Sequence, residues 1–99
     1  MLVRSDIPLA HQAVQAIHAG ISAARDLIPE GMIHPNLVLC TVPNRDWLTA
    51  IEDKCTQAGI ASRVFLEADM NDEPTALATQ PVGKEMRKLF RDLPLFTGG

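Results

Sequence analysis

Four polar side chains recur at helical spacing in the first third of the chain. His11, Gln15, His18 and Ser22 stand at i, i+4, i+7 and i+11, which places them on one side of a helix. Histidine as a residue type exchanges protons near neutral pH, so this polar stripe could line a cleft and supply general acid or base groups. A solvated helix flank would have the same pattern, and composition alone favours that interpretation.

A group of acidic residues lies where the third predicted strand ends, and its members are Glu67, Asp69, Asp72 and Glu73. Ligands of open α/β sheets collect beyond the carboxyl ends of parallel strands, so Glu67 is well placed to orient or deprotonate a hydrolytic water. Asp72 and Glu73 are more typical of a solvated loop. A metal site built from His11, His18 and Glu67 lacks the ligand spacing of known metal motifs, so we predict neither a metal nor a cofactor.

A basic stripe follows near the C-terminus at i, i+3, i+4 and i+7, and it consists of Lys84, Arg87, Lys88 and Arg91. Such a stripe could hold RNA phosphates, and each phosphate that it neutralised would add to a salt-dependent affinity. An ordinary charged helix face, interspersed with Glu85 and Asp92, explains the pattern equally well. Both interpretations stay open.

Composition bounds the class of protein. The chain has 99 residues, 46% of them hydrophobic and 21% charged, which predicts one folded domain over residues 1–99. The net charge of −3 argues against a protein that grips nucleic acid over its whole surface. The sequence has no phosphate-binding loop, dinucleotide fingerprint, serine-hydrolase elbow or zinc-ribbon spacing.

The expected location is the cytoplasm. No apolar run is long enough to span a bilayer, so we predict no membrane contact. The first residues have no basic segment followed by an apolar one, so we expect no secretory signal. Cys40 and Cys55 lack a C-x-x-C spacing and are predicted to be buried, inert thiols in a reducing compartment.

The hydrophobic pattern predicts helices that alternate with strands. A helix should run from Pro8 to Leu27, with an apolar stripe of Val14, Ile17, Ile21 and Ala24. Residues 36–42 form an apolar run typical of a central strand covered on both faces. Asn44 is the predicted N-cap of the next helix, which should end at Gly59.

With a first strand at residues 1–4, the remaining elements complete a β-α-β-α-β-β-α order. Residues 62–66 and 75–80 are predicted strands, and residues 83–91 a last helix whose Met86, Leu89, Phe90 and Leu93 face inward. This order predicts an α/β domain with a mostly parallel sheet sandwiched by helices and one antiparallel, hairpin-like step.

Six segments lie in order along nearly the whole chain, at residues 3–7, 15–19, 42–59, 65–68, 75–81 and 89–96. In succession they resemble the type II peptidyl-tRNA hydrolase superfamily, and most closely its short bacterial and phage-like members. The resemblance implies a four-stranded mixed sheet, mostly parallel, with helices on both faces, often in a homodimer. It also implies metal-independent hydrolysis of the ester that joins a peptide to the 3′ ribose of tRNA.

The resemblance also implies site residues. Gln15 and His18 match the polar pair of the first helix, Thr75 a strand threonine beside the active site, and Asp6 an acidic residue after the first strand. On this hypothesis Glu67 activates or orients water. His11 or His18 supplies a proton or stabilises the oxyanion, while Gln15 and Thr75 hold the carbonyl. The basic stripe would then hold the acceptor stem of tRNA.

Two departures from the family pattern support a different hypothesis. Leu9-Ala10-His11 stands where the family has a lysine-glycine-lysine segment, and Glu67 stands where it has an aspartate. Histidine does not replace the permanent charge of lysine, and an added methylene moves a carboxylate whose position matters for catalysis. The alternative is therefore a catalytically silent module that binds RNA, a small ligand or a protein partner on the same fold.

Overall fold

A computed structural model describes residues 1–33 and 35–98. It contains four strands, three α-helices and a short 3₁₀ helix, Ala68–Met70, between the last two strands. None of the helices in these ranges is long and apolar enough to cross a membrane. In chain order the elements are β1 Leu2–Arg4, α1 Leu9–Leu27, β2 Cys40–Val42, α2 Arg45–Gln57, β3 Ser62–Glu67, β4 Glu73–Thr79 and α3 Lys84–Arg87.

The four strands form one mixed sheet in the order β2-β1-β4-β3. β1 pairs with β2 in parallel, and β4 pairs antiparallel with both β1 and β3. The predicted α/β class, the four-stranded mixed sheet and the hairpin-like step are confirmed. The prediction of a mostly parallel sheet is wrong, because β4 turns back from β3 and inserts beside β1, so that both of its pairings are antiparallel.

β2 is shorter and more peripheral than the sequence predicts. The strand covers only Cys40–Val42 and lies at the edge of the sheet, whereas residues 36–42 were expected to form a central strand. Leu37 is 71% exposed and Val38 55% exposed, so this apolar run is not covered on both faces. The three residues of β1 pair with just three residues of β2, which limits the length of the strand.

Side chains alternate across the sheet and divide the core into two layers. Leu2 and Leu77 face α2, where they pack with Leu48, Ile51 and Cys55. The layer on the other face of the sheet packs against α1 and is made largely of small side chains, including Val3, Ala19, Ala76 and Ala78. α1 and α2 therefore cover opposite faces of the sheet.

The start of α2 confirms the predicted cap. The Asn44 side chain accepts a hydrogen bond from the Trp47 backbone N–H at 3.0 Å, which satisfies one of the free donors of the first turn. Gly59 follows the helix with a φ of 75°, a left-handed conformation that glycine adopts without strain.

α1 begins at Leu9 after Pro8, as predicted, but it buries a different face. Its buried residues are Gln12, Gln15, Ala16, Ala19 and Ala23. The apolar stripe lies on the outer side, with Val14 48%, Ile17 61% and Ile21 59% exposed. The stripe therefore does not face the core; α1 approaches the sheet through its alanines, which pack closely against the alanines of β4.

The C-terminal segment is less helical than predicted. α3 covers only Lys84–Arg87 and not residues 83–91. Leu89, Phe90 and Leu93 still pack against the α2 layer, whereas Met86 is 38% exposed. The turns after α3 therefore bury Leu89, Phe90 and Leu93, which were expected to face inward from a longer helix.

Candidate active site

Glu67 is held at the carboxyl end of β3 by the turn that follows it. Its Oε1 accepts the Asp69 backbone N–H at 3.2 Å, and its carbonyl oxygen accepts the Asp72 N–H at 2.9 Å. The chain reverses through Asn71 and Asp72, whose φ values are 56° and 59°. Asparagine and aspartate tolerate this left-handed region better than other side chains. The local sequence therefore fixes the carboxylate at the end of the sheet.

Gln15 links this carboxylate to α1. Its Nε2 donates to Glu67 Oε2 at 2.6 Å, across a sequence separation of 52 residues. The glutamine is only 5% exposed, so helix packing fixes its side chain. The polar stripe predicted on α1 does face β3, and its most buried member contacts the residue that heads the acidic group.

The pKa of Glu67 lies below its ordinary value. The largest cause is the hydrogen bond from the Asp69 backbone N–H, and the bond from Gln15 is the next favourable one. Smaller favourable contributions come from the nearby His18 and His11. Glu67 is therefore an ionised carboxylate at neutral pH and a weak base.

His18 lies against the same strand. Its imidazole stacks on the Phe65 ring with 4.5 Å between centroids and 8° between planes. Phe65 precedes Glu67 by two residues, so both side chains project from the α1 face of β3. Stacking fixes the plane of the His18 ring, while His11 near the start of α1 is exposed and has no such contact among the described residues.

One atom of the site lacks a partner. Gln15 Oε1 is buried and accepts no hydrogen bond from the described residues. The amide cannot rotate to exchange its two ends, because that would turn Oε1 toward the ionised Glu67 carboxylate in place of Nε2. A buried acceptor of this kind is normally satisfied by an ordered water or by a donor on a ligand.

Thr75 is fully buried and makes a different contact from the one expected. It is the residue of β4 that has no register partner, between the pairs Phe65↔Ala76 and Leu66↔Pro74. Its hydroxyl donates to the Phe65 carbonyl oxygen at 3.4 Å. To hold a substrate carbonyl, as predicted, the Thr75 hydroxyl would have to give up its hydrogen bond to Phe65.

Asp6 belongs to an ion-pair network at the end of β1. Both of its carboxylate oxygens accept from Arg4, at 2.8 Å each. Arg4 also donates to the Pro74 carbonyl at 3.2 Å and contacts Glu73 at 3.5 Å, and Glu73 contacts Arg45 at 3.4 Å. The hydrogen bond from Arg4 lowers the pKa of Asp6. The sequence reasoning missed Arg4, although a cation in a buried strand two residues before an acid is a signal of such a pair.

The predicted basic stripe lies away from Glu67. The β3–β4 ladder runs from the Glu67↔Glu73 pair to the Ser62↔Thr79 pair, a span of about 17 Å at 3.4 Å per residue, and α3 follows the far end. Lys84 and Arg87 belong to α3, Lys88 is its C-cap, and Arg91 lies in the next turns. The structure thus brings Gln15, His18 and Glu67 together but does not bring the stripe to them.

The described residues, 1–33 and 35–98, contain no group of three or more His, Cys, Asp or Glu side chains that could hold a metal ion. No protein-family model matches the chain, and no curated protein sequence matches it. The molecule is a mixed α/β domain in which the Glu67 carboxylate, the Gln15 amide and the His18 imidazole lie near the end of β3. Its function has to be inferred from these residues.

Proposed function

We propose that the protein is a metal-independent ester hydrolase of the peptidyl-tRNA hydrolase type, acting at Gln15, His18 and Glu67. The observation that carries the proposal is the 2.6 Å bond from Gln15 to Glu67, beside an imidazole stacked on Phe65. This contact joins the helix and strand positions at which the sequence resembles that family. A peptidyl-tRNA substrate implies that the protein acts in the cytoplasm. Cys40 and Cys55 are free, buried thiols, which agrees with a reducing compartment of this kind.

The reaction requires a proton acceptor and an anion of fixed position. His18 takes a proton from a water held between it and Glu67, and the oxygen attacks the ester carbonyl carbon. Collapse of the tetrahedral intermediate breaks the bond to the ribose 3′ oxygen, and His18 returns the proton to that oxygen. Glu67, a weak base because of its lowered pKa, orients the water and stabilises the protonated imidazole. Gln15 acts through Glu67 and is a positioning residue.

His18 and not His11 has this role, because only His18 is held against β3 by ring stacking. The test is release of peptide from N-blocked peptidyl-tRNA by the wild type, His18→Asn and His11→Asn. The loss expected for His18→Asn is about 10²–10⁴-fold, the usual contribution of a general acid–base group. His11→Asn should lose only a few-fold. Equal activity of all three proteins would remove His18 from the mechanism.

A tRNA substrate is long enough to reach both ends of the sheet. The surroundings of Glu67 are acidic, with Asp69 and Asp72 exposed, so phosphates have to be held elsewhere. The exposed Lys84 and Lys88, beyond the far end of the ladder, are the groups proposed for that contact. Reversing both charges should raise KM for peptidyl-tRNA and leave cleavage of a small N-blocked aminoacyl ester unchanged. An unchanged KM for peptidyl-tRNA would exclude this RNA contact.

The second candidate is a binding module that uses Gln15, His18 and Glu67 to hold a ligand without turnover. It is favoured by the unpartnered Gln15 Oε1, which suits a ligand N–H or O–H donor, and by the weak basicity of Glu67. Absence of turnover at micromolar protein, with the domain shown to be folded, would make this function the one supported.

We further propose that the active form is a homodimer that pairs through the outer face of α1. Val14, Ile17 and Ile21 are about half or more exposed there, in a helix whose opposite face is also largely apolar. Contiguous exposed apolar side chains on the surface of a domain often mark a contact with another protein chain. The occupant proposed is a second copy, since Ala10, Ala13 and Ala24 complete an uncharged face that complements itself in a twofold contact.

A further inference from the structure

A large cleft lies at the end of the sheet opposite Glu67. It has a volume of about 920 Å³, and its lining includes Leu2 of β1, Leu77 and Thr79 of β4, the chain before β2, and the turns after α3. Ligand pockets usually have volumes of about 300–1,000 Å³ and combine an apolar lining with a few polar groups. The hydrolytic mechanism proposed above uses none of the residues that line this cleft.

The walls of the cleft are apolar and only partly covered. Leu77 in the lining is fully buried, whereas Leu37 and Val38 on the side of β2 are 71% and 55% exposed. Phe90 and Leu93 form the facing wall and pack against the α2 layer. An apolar ligand between these walls would remove exposed hydrophobic surface from water, which is the main favourable term in such binding.

The charged side chains among the described lining residues of the cleft are all positive. Arg87 and Arg91 line it, and the described lining residues include no aspartate or glutamate. Four other arginines each have an acidic partner, namely Arg4, Arg25, Arg45 and Arg63. Among the described residues, Arg87 and Arg91 have none. Two unpaired guanidiniums beside apolar walls complement an anion that carries a hydrocarbon chain.

Gln80 adds a neutral donor to this side of the cleft. Its Oε1 accepts the Ala61 backbone N–H at 2.9 Å, so the carbonyl end is occupied and the amide N–H₂ end is directed elsewhere. The side chain lines the cleft together with the two arginines. A carboxylate, which only accepts hydrogen bonds, suits such a set of donors.

We propose that this cleft binds a small apolar carboxylate, of which a medium-chain fatty acid is the simplest example. The hydrocarbon lies between Leu37 and Phe90, and the carboxylate is held by Arg87 and Arg91. Binding here is separate from hydrolysis at Glu67, so each proposal can fail without the other.

The test is calorimetric titration of the full chain with octanoate, decanoate and dodecanoate below their micelle concentrations. Each added methylene should lower Kd about fourfold, from the free energy of burying one methylene. Decanol and decyltrimethylammonium, which have the chain without the anion, should bind at least tenfold more weakly than decanoate. Equal affinity for the three headgroups, or no dependence on chain length, would overturn the proposal.

Two double variants distinguish binding of decanoate in the cleft from a general effect of positive charge. Arg87→Gln with Arg91→Gln should weaken decanoate at least tenfold, whereas Lys84→Gln with Lys88→Gln removes the same charge outside the cleft and should change Kd less than threefold. Leu37→Glu, at an exposed position that does not threaten folding, should also weaken decanoate. Equal effects of the two double variants would contradict the proposal, as would binding of an apolar peptide C-terminus by a protein that does not bind decanoate.

Discussion

Replacing Asp6 by asparagine tests whether this residue is structural or catalytic. Asp6 accepts two hydrogen bonds of 2.8 Å from Arg4, whose side chain is only 8% exposed. Asparagine keeps one acceptor oxygen and turns an amide N–H₂ toward the guanidinium, so the buried cation loses its nearer anion and keeps only the Glu73 carboxylate at 3.5 Å. We therefore expect Asp6→Asn to lower the free energy of unfolding and to leave the activity per folded molecule near that of the wild type.

The size of this loss follows from the exposure of the pair. Removing one partner of a fully buried ion pair costs about 3–5 kcal/mol. Asp6 is 38% exposed, and Arg4 keeps the Pro74 carbonyl at 3.2 Å, so solvent and this second acceptor reduce the cost to about 1–3 kcal/mol. Asp46→Asn is the matched control. Asp46 is 89% exposed and contacts Arg45 at 3.8 Å, so its loss should stay within about 0.5 kcal/mol.

The loss should depend on pH in one direction. The folded-state pKa of Asp6 lies below its ordinary value of 3.8, so its contribution to stability is present above that value and disappears as pH falls through the folded pKa. Urea unfolding of both proteins at pH 7 and at about pH 2.5 measures the difference. An equal difference at both pH values, or a loss of activity as large as that of an active-site variant, would refute the structural role.

Three further predictions concern the cap, the pair at the site and the outer face of α1. Asn44→Ala should lower the free energy of unfolding by about 1 kcal/mol, because the Trp47 N–H loses its 3.0 Å acceptor, and an unchanged urea midpoint would contradict the cap. Gln15→Leu should raise the pKa of Glu67 in a carboxyl NMR titration, because the hydrogen bond from the Gln15 amide lowers that pKa. An unchanged pKa would mean that this hydrogen bond is absent in solution. Ile17→Glu with Ile21→Glu should convert a dimer to a monomer in sedimentation experiments, and a wild type that is already monomeric at high concentration would exclude this interface.

Local chemistry predicted some parts of the structure well. Asn44, Pro8 and Gly59 mark helix boundaries through side-chain acceptors, a fixed φ and tolerance of positive φ, all of which act within a few residues. The polar spacing on α1 also placed Gln15 and His18 on one side of the helix, because helical geometry alone does so, but it left open whether that side is solvated or lines a cleft. These features need no knowledge of distant parts of the chain.

Features that depend on tertiary partners could not be predicted in this way. The apolar stripe of α1 has the period of a core-facing helix, yet it is Ala16, Ala19 and Ala23 that pack against the alanines of β4. β2 begins only at Cys40 because β1 has three residues to pair with it. Thr75 matched the resemblance as a residue type, but its partner, the Phe65 carbonyl, became visible only when the strands were placed.

The most direct test of the central proposal is release of peptide from N-blocked peptidyl-tRNA by the wild type and by Glu67→Gln. Glu85→Gln is the control, because Glu85 is 92% exposed and lies beyond the far end of the ladder. We predict turnover by the wild type and the control, with a loss of about 10²–10³-fold in Glu67→Gln, the usual cost of removing a group that stabilises charge in the transition state. Loss of no more than a few-fold in Glu67→Gln, with all three proteins folded, would contradict the assignment of the active site.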